Sequence, residues 1–187
     1  MDRQTALIVI DVQKGFDHPS WGPRNNPGAE AVIARLLEAW RGAGRPIIHV
    51  QHLSRRAASP LAPGQSGVEL KDEVRPLAGE TVITKSVNSA FIGTDLEKRL
   101  RGAGIKNLVI TGLCTDHCVS TTARMGANLG YRIILPHDAA AAFDRTGHDG
   151  TVYPAEEIHR TALASLHGEF ATVVGSESLL EDRLSRI

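Results

Sequence analysis

The sequence predicts an α/β protein, a three-layer α/β/α sandwich on a mostly parallel six-stranded sheet. Two observations carry this. Short continuous apolar runs, such as Ala6-Leu7-Ile8-Val9-Ile10, have the composition of strands covered on both faces. Between them lie longer segments whose apolar residues recur every three or four positions, the spacing of helices with one buried face. That alternation implies helices packed on both sides of a parallel sheet.

The first strand, 6–10, ends at Asp11 and leaves through a loop at 11–17. Trp21 to Gly28 holds two prolines, two glycines and two asparagines and should be irregular. From Ala29, the residues Val32, Ile33, Leu36, Leu37 and Trp40 follow helical spacing, with Pro27 before them and Gly42 or Gly44 closing the helix. Strand two is 46–50. The Ser-, Pro- and Gly-rich loop 54–67 follows, long enough to suggest a lid or a subunit contact. Strand three, 80–84, ends at Lys85, and a helix spans 94–100. Strand four, 108–111, leads through a turn into a helix carrying Cys118. Strand five is 131–135, and a helix at 154–166, strand six at 171–174 and a closing helix at 178–184 complete a single domain.

With 187 residues the chain can bury a substantial core without staples. Its 21 basic and 21 acidic residues balance, which argues against nucleic acid or an anionic membrane surface as a partner. No apolar stretch approaches the roughly 20 residues of a membrane span. Two cysteines and the absence of a secretory leader point to a reducing, cytoplasmic setting.

Ligands of open parallel sheets bind outside the carboxyl ends of the strands. Asp11 ends strand one, Lys85 ends strand three and Cys118 follows strand four, so all three should share that edge. Alone, each has an ordinary explanation: a turn cap, a surface lysine, a small buried hydrophobe. Together they form a reactive set. At a helix N-terminus beside an ammonium a thiolate is favoured, and a neighbouring carboxylate can take the thiol proton and return it to a leaving group.

Five blocks make the sequence recognisable. They are A-L-I-V-I-D-V-Q-K-G-F at 6–16, T-K-S-V-N-S-A-F at 84–91, T-G-L-C-T-D-H-C-V-S-T-T-A-R at 111–124, L-P-H-D-A-A-A-A-F at 135–143 and A-E-E-I-H-R-T-A-L-A-S-L at 155–166. In this order they resemble the isochorismatase-like cysteine hydrolase superfamily across nearly the whole chain. The resemblance implies a strand order of 3-2-1-4-5-6, a catalytic triad of Asp11, Lys85 and Cys118, and a cis peptide at Leu113–Cys114. It also implies an oxyanion hole from the Cys114 and Cys118 amides, and a homo-oligomer such as a dimer or tetramer. That strand order separates strand three from strand one by about 10 Å, a gap the Lys85 stem would have to bridge.

The implied activity is hydrolysis of a C–N bond in a small amide through a thioester, without a cofactor. Phe16, Trp21, Asn88 and Phe91 are the expected pocket residues, and Arg55 and Arg56 are candidates to meet an anionic substrate. Nicotinamidases of this superfamily bind metal through an Asp-x-His pair. Val50-Gln51-His52-Leu53-Ser54 lacks that pair in register, so no metal site is expected, although His49 and His52 leave the question open. The alternatives are a vinyl-ether hydrolase, a binding protein on the same fold, and a Cys114/Cys118 redox pair. A serine hydrolase is disfavoured because no G-x-S-x-G elbow occurs.

Overall fold

The computed structural model describes residues 4–181. Six parallel strands lie in the order β3-β2-β1-β4-β5-β9. They are β1 (Thr5–Ile10), β2 (Ile47–His52), β3 (Thr81–Lys85), β4 (Asn107–Leu113), β5 (Arg132–Pro136) and β9 (Thr172–Val174). Two short additions escape the sequence pattern. A two-residue strand, β6 (Ala140–Ala141), pairs with the far end of β4 after β5 has stopped at Pro136. A small hairpin joins β7 (Arg145–Thr146) to β8 (Val152–Tyr153).

Alternation along β1 sorts the core into two layers. Ala6, Ile8 and Ile10 face a cluster containing Leu96 and Leu100 of α2 (Leu96–Gly102), Val119 and Ala123 leading into and within α3 (Ser120–Asn128), and Leu166 of α4 (Ala155–Leu166). Leu7 and Val9 face the other cluster, with Ile33, Leu36, Leu37 and Trp40 of α1 (Ala29–Gly42) and Leu179 of α5 (Ser176–Leu180). The helices therefore cover both faces, as the apolar runs require. The expected closing helix at 178–184 appears as α5, two residues earlier, and its positions 182–184 lie outside the described residues. No helix of the described residues is long and apolar enough to cross a membrane.

After β1 the chain builds outward through β2 and β3, then returns to β4 on the other side of β1. This reversal places the crevice of the sheet between the carboxyl ends of β1 and β4. Gly112 is part of that arrangement. It pairs with Ile10 at φ +116°, and a Cβ there would stand 1.9 Å from the Ile10 carbonyl oxygen. The residue read from sequence as part of a turn is thus a strand residue where two backbones approach too closely for a side chain.

Gly112→Ala should cost at least about 3 kcal/mol through this clash and the unfavourable φ. Gly102→Ala, in a helix position with open space around it, should be neutral or stabilising by up to about 1 kcal/mol. Thermal denaturation of the two variants beside the parent checks both.

Candidate active site

Strand register explains how Lys85 crosses the sheet. Ile10 pairs with Val50, Val50 with Ile83, and Lys85 with His52, so Lys85 stands two residues beyond the last row of β1. The β1 chain has turned by then, because Asp11 adopts a positive φ of 53° while its amide still bonds the Val50 carbonyl. The Lys85 stem thus extends over the ends of β2 and β1. Its ammonium donates to Asp11 Oδ2 at 2.6 Å, His52 Nδ1 at 3.1 Å, the Val87 carbonyl at 3.1 Å and Cys118 Sγ at 3.2 Å. The Asp11 and Lys85 side chains are fully buried.

Burial sets the protonation of this cluster. It raises the Asp11 carboxyl to about 6, the ammonium and hydrogen bond of Lys85 offsetting only part of the desolvation. It also pushes the Cys118 thiol up, and the Asp11 carboxylate adds to that; Lys85 opposes both without overcoming them. This corrects the expectation of a favoured thiolate. Cys118 is the fourth residue of a π-helical turn, Thr115–Val119, with Cys114 as its N-cap, rather than the first residue of a helix. Burial outweighs what a helix end and one ammonium supply there, and the proton rests on sulfur. Besides Lys85, the neighbour acting on the Asp11 carboxylate is the Cys118 thiol.

The turn holding Cys118 is fastened from several sides. The Cys114 carbonyl accepts from the amides of His117 (3.1 Å) and Val119 (3.2 Å). Thr115 Oγ1 hydrogen-bonds His159 Nδ1 of α4 at 2.8 Å, both residues being buried. Arg145 of β7 grips both oxygens of Asp116, at 2.8 and 3.2 Å. The Leu113–Cys114 peptide is cis. Both cysteines are free and buried, and burial pushes the Cys114 thiol up to about 12.

A cavity of about 390 Å³ opens onto Asp11 and Cys118. Phe16, Trp21 and Leu61 form an apolar wall, and Ser54, Arg55, Arg56, Ser59, Ser86 and Asn88 a polar one. His52, Cys114 and His117 complete the lining. Phe16 and Trp21 pack with ring centroids 4.8 Å apart, and Phe143 supports both from behind. Phe91 is not in this wall. It stacks on Tyr131 at 5.9 Å in the core and lies beside Gly126 of α3, because the chain has already turned inward at Ala90, whose amide bonds Thr122.

Gln13, which the sequence reading passed over, is fully buried. Its amide donates to the His52 and Val68 carbonyls at 3.0 and 2.9 Å and accepts from the His52 amide at 2.8 Å. It ties the exit of β1 to the end of β2 and to Val68, just past the 54–67 loop. That loop is itself packed: Leu61 and Ala62 are buried, and a Cβ on Gly67 would strike the Pro60 carbonyl.

The two histidines considered for metal separate. His49 bonds Glu80 at 2.9 Å beneath α1, away from the cavity. His52 does reach the cluster, where Asp11, His52 and Cys118 each bring a donor atom within 4.8 Å of the others, a spacing that would fit an ion. The Lys85 ammonium hydrogen-bonds all three side chains and already supplies the positive charge. Burial and that ammonium hold His52 down to about 4, which keeps it neutral.

This fold, with an acid, a lysine and a thiol joined at the switch point, has close counterparts. The sequence matches the Isochorismatase domain over residues 5–178, and the chain belongs to the isochorismatase family of hydrolases. It is 47% identical to the isochorismatase family protein YrdC of Bacillus subtilis over 182 residues, covering 97% of each chain. It is 29% identical to the ureidoacrylate amidohydrolase RutB of Variovorax paradoxus, covering 72% of this chain and 68% of that one. Among solved structures, an isochorismatase-family protein from Chromobacterium violaceum superposes with a TM-score of 0.93 at 46% identity, over 100% of this chain and 96% of the other. A cysteine hydrolase from Pseudomonas syringae pv. phaseolicola gives 0.89 at 26% identity, over 100% and 96%.

Because His159 is the buried partner of Thr115, His159→Ala should leave that hydroxyl unsatisfied and cost about 1–3 kcal/mol. The expected reading is a lower urea midpoint with an unchanged slope.

Proposed function

We propose that this chain is a cysteine-dependent hydrolase that cleaves a C–N bond of a small amide through a thioester acyl-enzyme. One observation carries the reading: a fully buried ammonium hydrogen-bonds Asp11 at 2.6 Å and Cys118 Sγ at 3.2 Å on the floor of a cavity sized for a small molecule. The likeness to an amidohydrolase and to a cysteine hydrolase supports the choice of bond and nucleophile.

In this mechanism the resting site holds a thiol, a carboxylate and an ammonium. Asp11 takes the Cys118 proton as sulfur attacks the carbonyl carbon, and the C=O electron pair moves onto oxygen. The backbone amides of Cys114 and Cys118 receive that oxyanion. When the tetrahedral adduct collapses, the C–N bond breaks and the nitrogen leaves with the proton from Asp11. Water then gives a proton to Asp11 and its oxygen to the thioester carbon. Collapse of the second adduct releases the acid and returns the proton to sulfur. Lys85 keeps Asp11 ionised and faces the sulfur while it carries negative charge. Phe16 and Trp21 flank the substrate, and Asn88 contributes a polar contact beside Ser86.

Incubation with a panel of small amides, followed by ammonia or amine release, tests this. Cys118→Ala should abolish turnover, and Asp11→Asn should lower kcat by about 10²–10⁴-fold. A Cys118→Ala protein as active as the parent would sink the mechanism.

The acid limb carries a signature of its own. Asp11 must be ionised to accept the proton and its pKa is raised to about 6, so kcat/KM should rise with pH through about 6 and then level. Lys85→Met removes the main influence holding the carboxylate ionised, and should move that limb to higher pH while lowering the plateau. Because Lys85 fills the place a cation would take, exhaustive dialysis against EDTA should leave activity unchanged.

A further inference from the structure

The charges lining the cavity do not cancel. On its floor the Asp11 carboxylate is matched by the Lys85 ammonium at 2.6 Å. Burial lowers the pKa of His117, as it does for His52, so both are neutral at pH 7. Two cations are left, Arg55 and Arg56, both lining the cavity. Among the described residues neither has a carboxylate partner: the Arg55 side chain bonds only the Ser86 hydroxyl, at 3.1 Å, and the Arg56 guanidinium makes no hydrogen bond or ion pair.

The backbone carrying them is held in place. The Ser54 amide bonds the Leu61 carbonyl at 2.8 Å, and the Arg56 carbonyl accepts from the Ser59 amide at 3.0 Å. Ser54 Oγ accepts from the Arg56 amide at 3.2 Å. Arg55 and Arg56 are both exposed, and two guanidiniums without a carboxylate partner, on a held backbone and lining the same cavity of about 390 Å³ as Phe16 and Trp21, favour a planar anion over a neutral or cationic group.

We infer that the substrate is an amide that also bears a carboxylate, with Arg55 and Arg56 binding the carboxylate while the amide carbonyl lies at Cys118. This rests on the proposed amide hydrolysis and names its substrate class. It also assigns the 54–67 loop a role as the specificity wall of the cavity.

The test pairs each carboxy-amide with its neutral twin: ω-carboxy aliphatic amides of increasing length and carboxybenzamides, each beside the corresponding dicarboxamide. The expected result is a preference in kcat/KM of at least about tenfold for the carboxylates, carried mostly by KM. It should shrink in 0.5 M salt and collapse toward one in the Arg55→Gln/Arg56→Gln double variant. A ratio near one in the parent, or a ratio the double variant leaves intact, overturns the proposal. If no amide is cleaved, amide hydrolysis itself fails, and calorimetry of benzoate against benzamide then decides the anion site. Tenfold tighter benzoate binding that is lost in the double variant upholds it, and equal binding overturns it.

Discussion

The Lys85 ammonium has three hydrogens and four acceptors around it: Asp11 Oδ2, His52 Nδ1, the Val87 carbonyl and Cys118 Sγ. A cation without water is tolerated only where fixed groups replace its hydration, and a carboxylate at 2.6 Å is the principal one here. Conversely, burial lifts the Asp11 carboxyl to about 6 even with Lys85 in place, and without the ammonium it would be pushed further toward the neutral form. Neither charge is sustainable alone. The sheet register and the left-handed turn at Asp11 serve to bring the two together across the intervening strand.

Much of this arrangement is legible in the residues because Asp11 and Lys85 each end a strand-like run and Cys118 follows another. A strand that stops at Asp11 or Lys85 announces an edge, and a parallel sheet puts those edges on one side. The meeting itself required the register, which sequence does not carry. Lys85 reaches Asp11 because β3 runs two residues past the last row of β1, an offset invisible in the composition of either strand.

Other readings failed for tertiary reasons. Helix position and a neighbouring cation are cues in the sequence for a lowered thiol pKa, whereas burial and the Asp11 charge, which oppose them, come from the assembled fold. Phe91 shows the same limit: expected in the pocket from its place in a loop leaving the sheet edge, it turns inward beneath α3 and stacks on Tyr131. Gln13 carried a signal that was available: an amide next to a strand end has both a donor and an acceptor, suited to binding a neighbouring strand terminus as it does at His52.

A proton resting on sulfur is consistent with the proposed chemistry and says something about its timing. A permanent thiolate in this cavity would need no base and would add a third buried charge beside the Asp11–Lys85 pair. With a neutral thiol, charge separation is deferred until a carbonyl carbon is present to accept the sulfur electrons, at which point negative charge passes to the oxyanion. The proton meanwhile moves to a carboxyl already raised to about 6, close enough to neutrality to take it up and to give it away. Burial raises both groups, but the pairing with Lys85 keeps the carboxylate charged, whereas at sulfur burial and the Asp11 charge outweigh Lys85 and leave the proton in place. One desolvated site thereby holds an acid and a base in complementary states at the same pH.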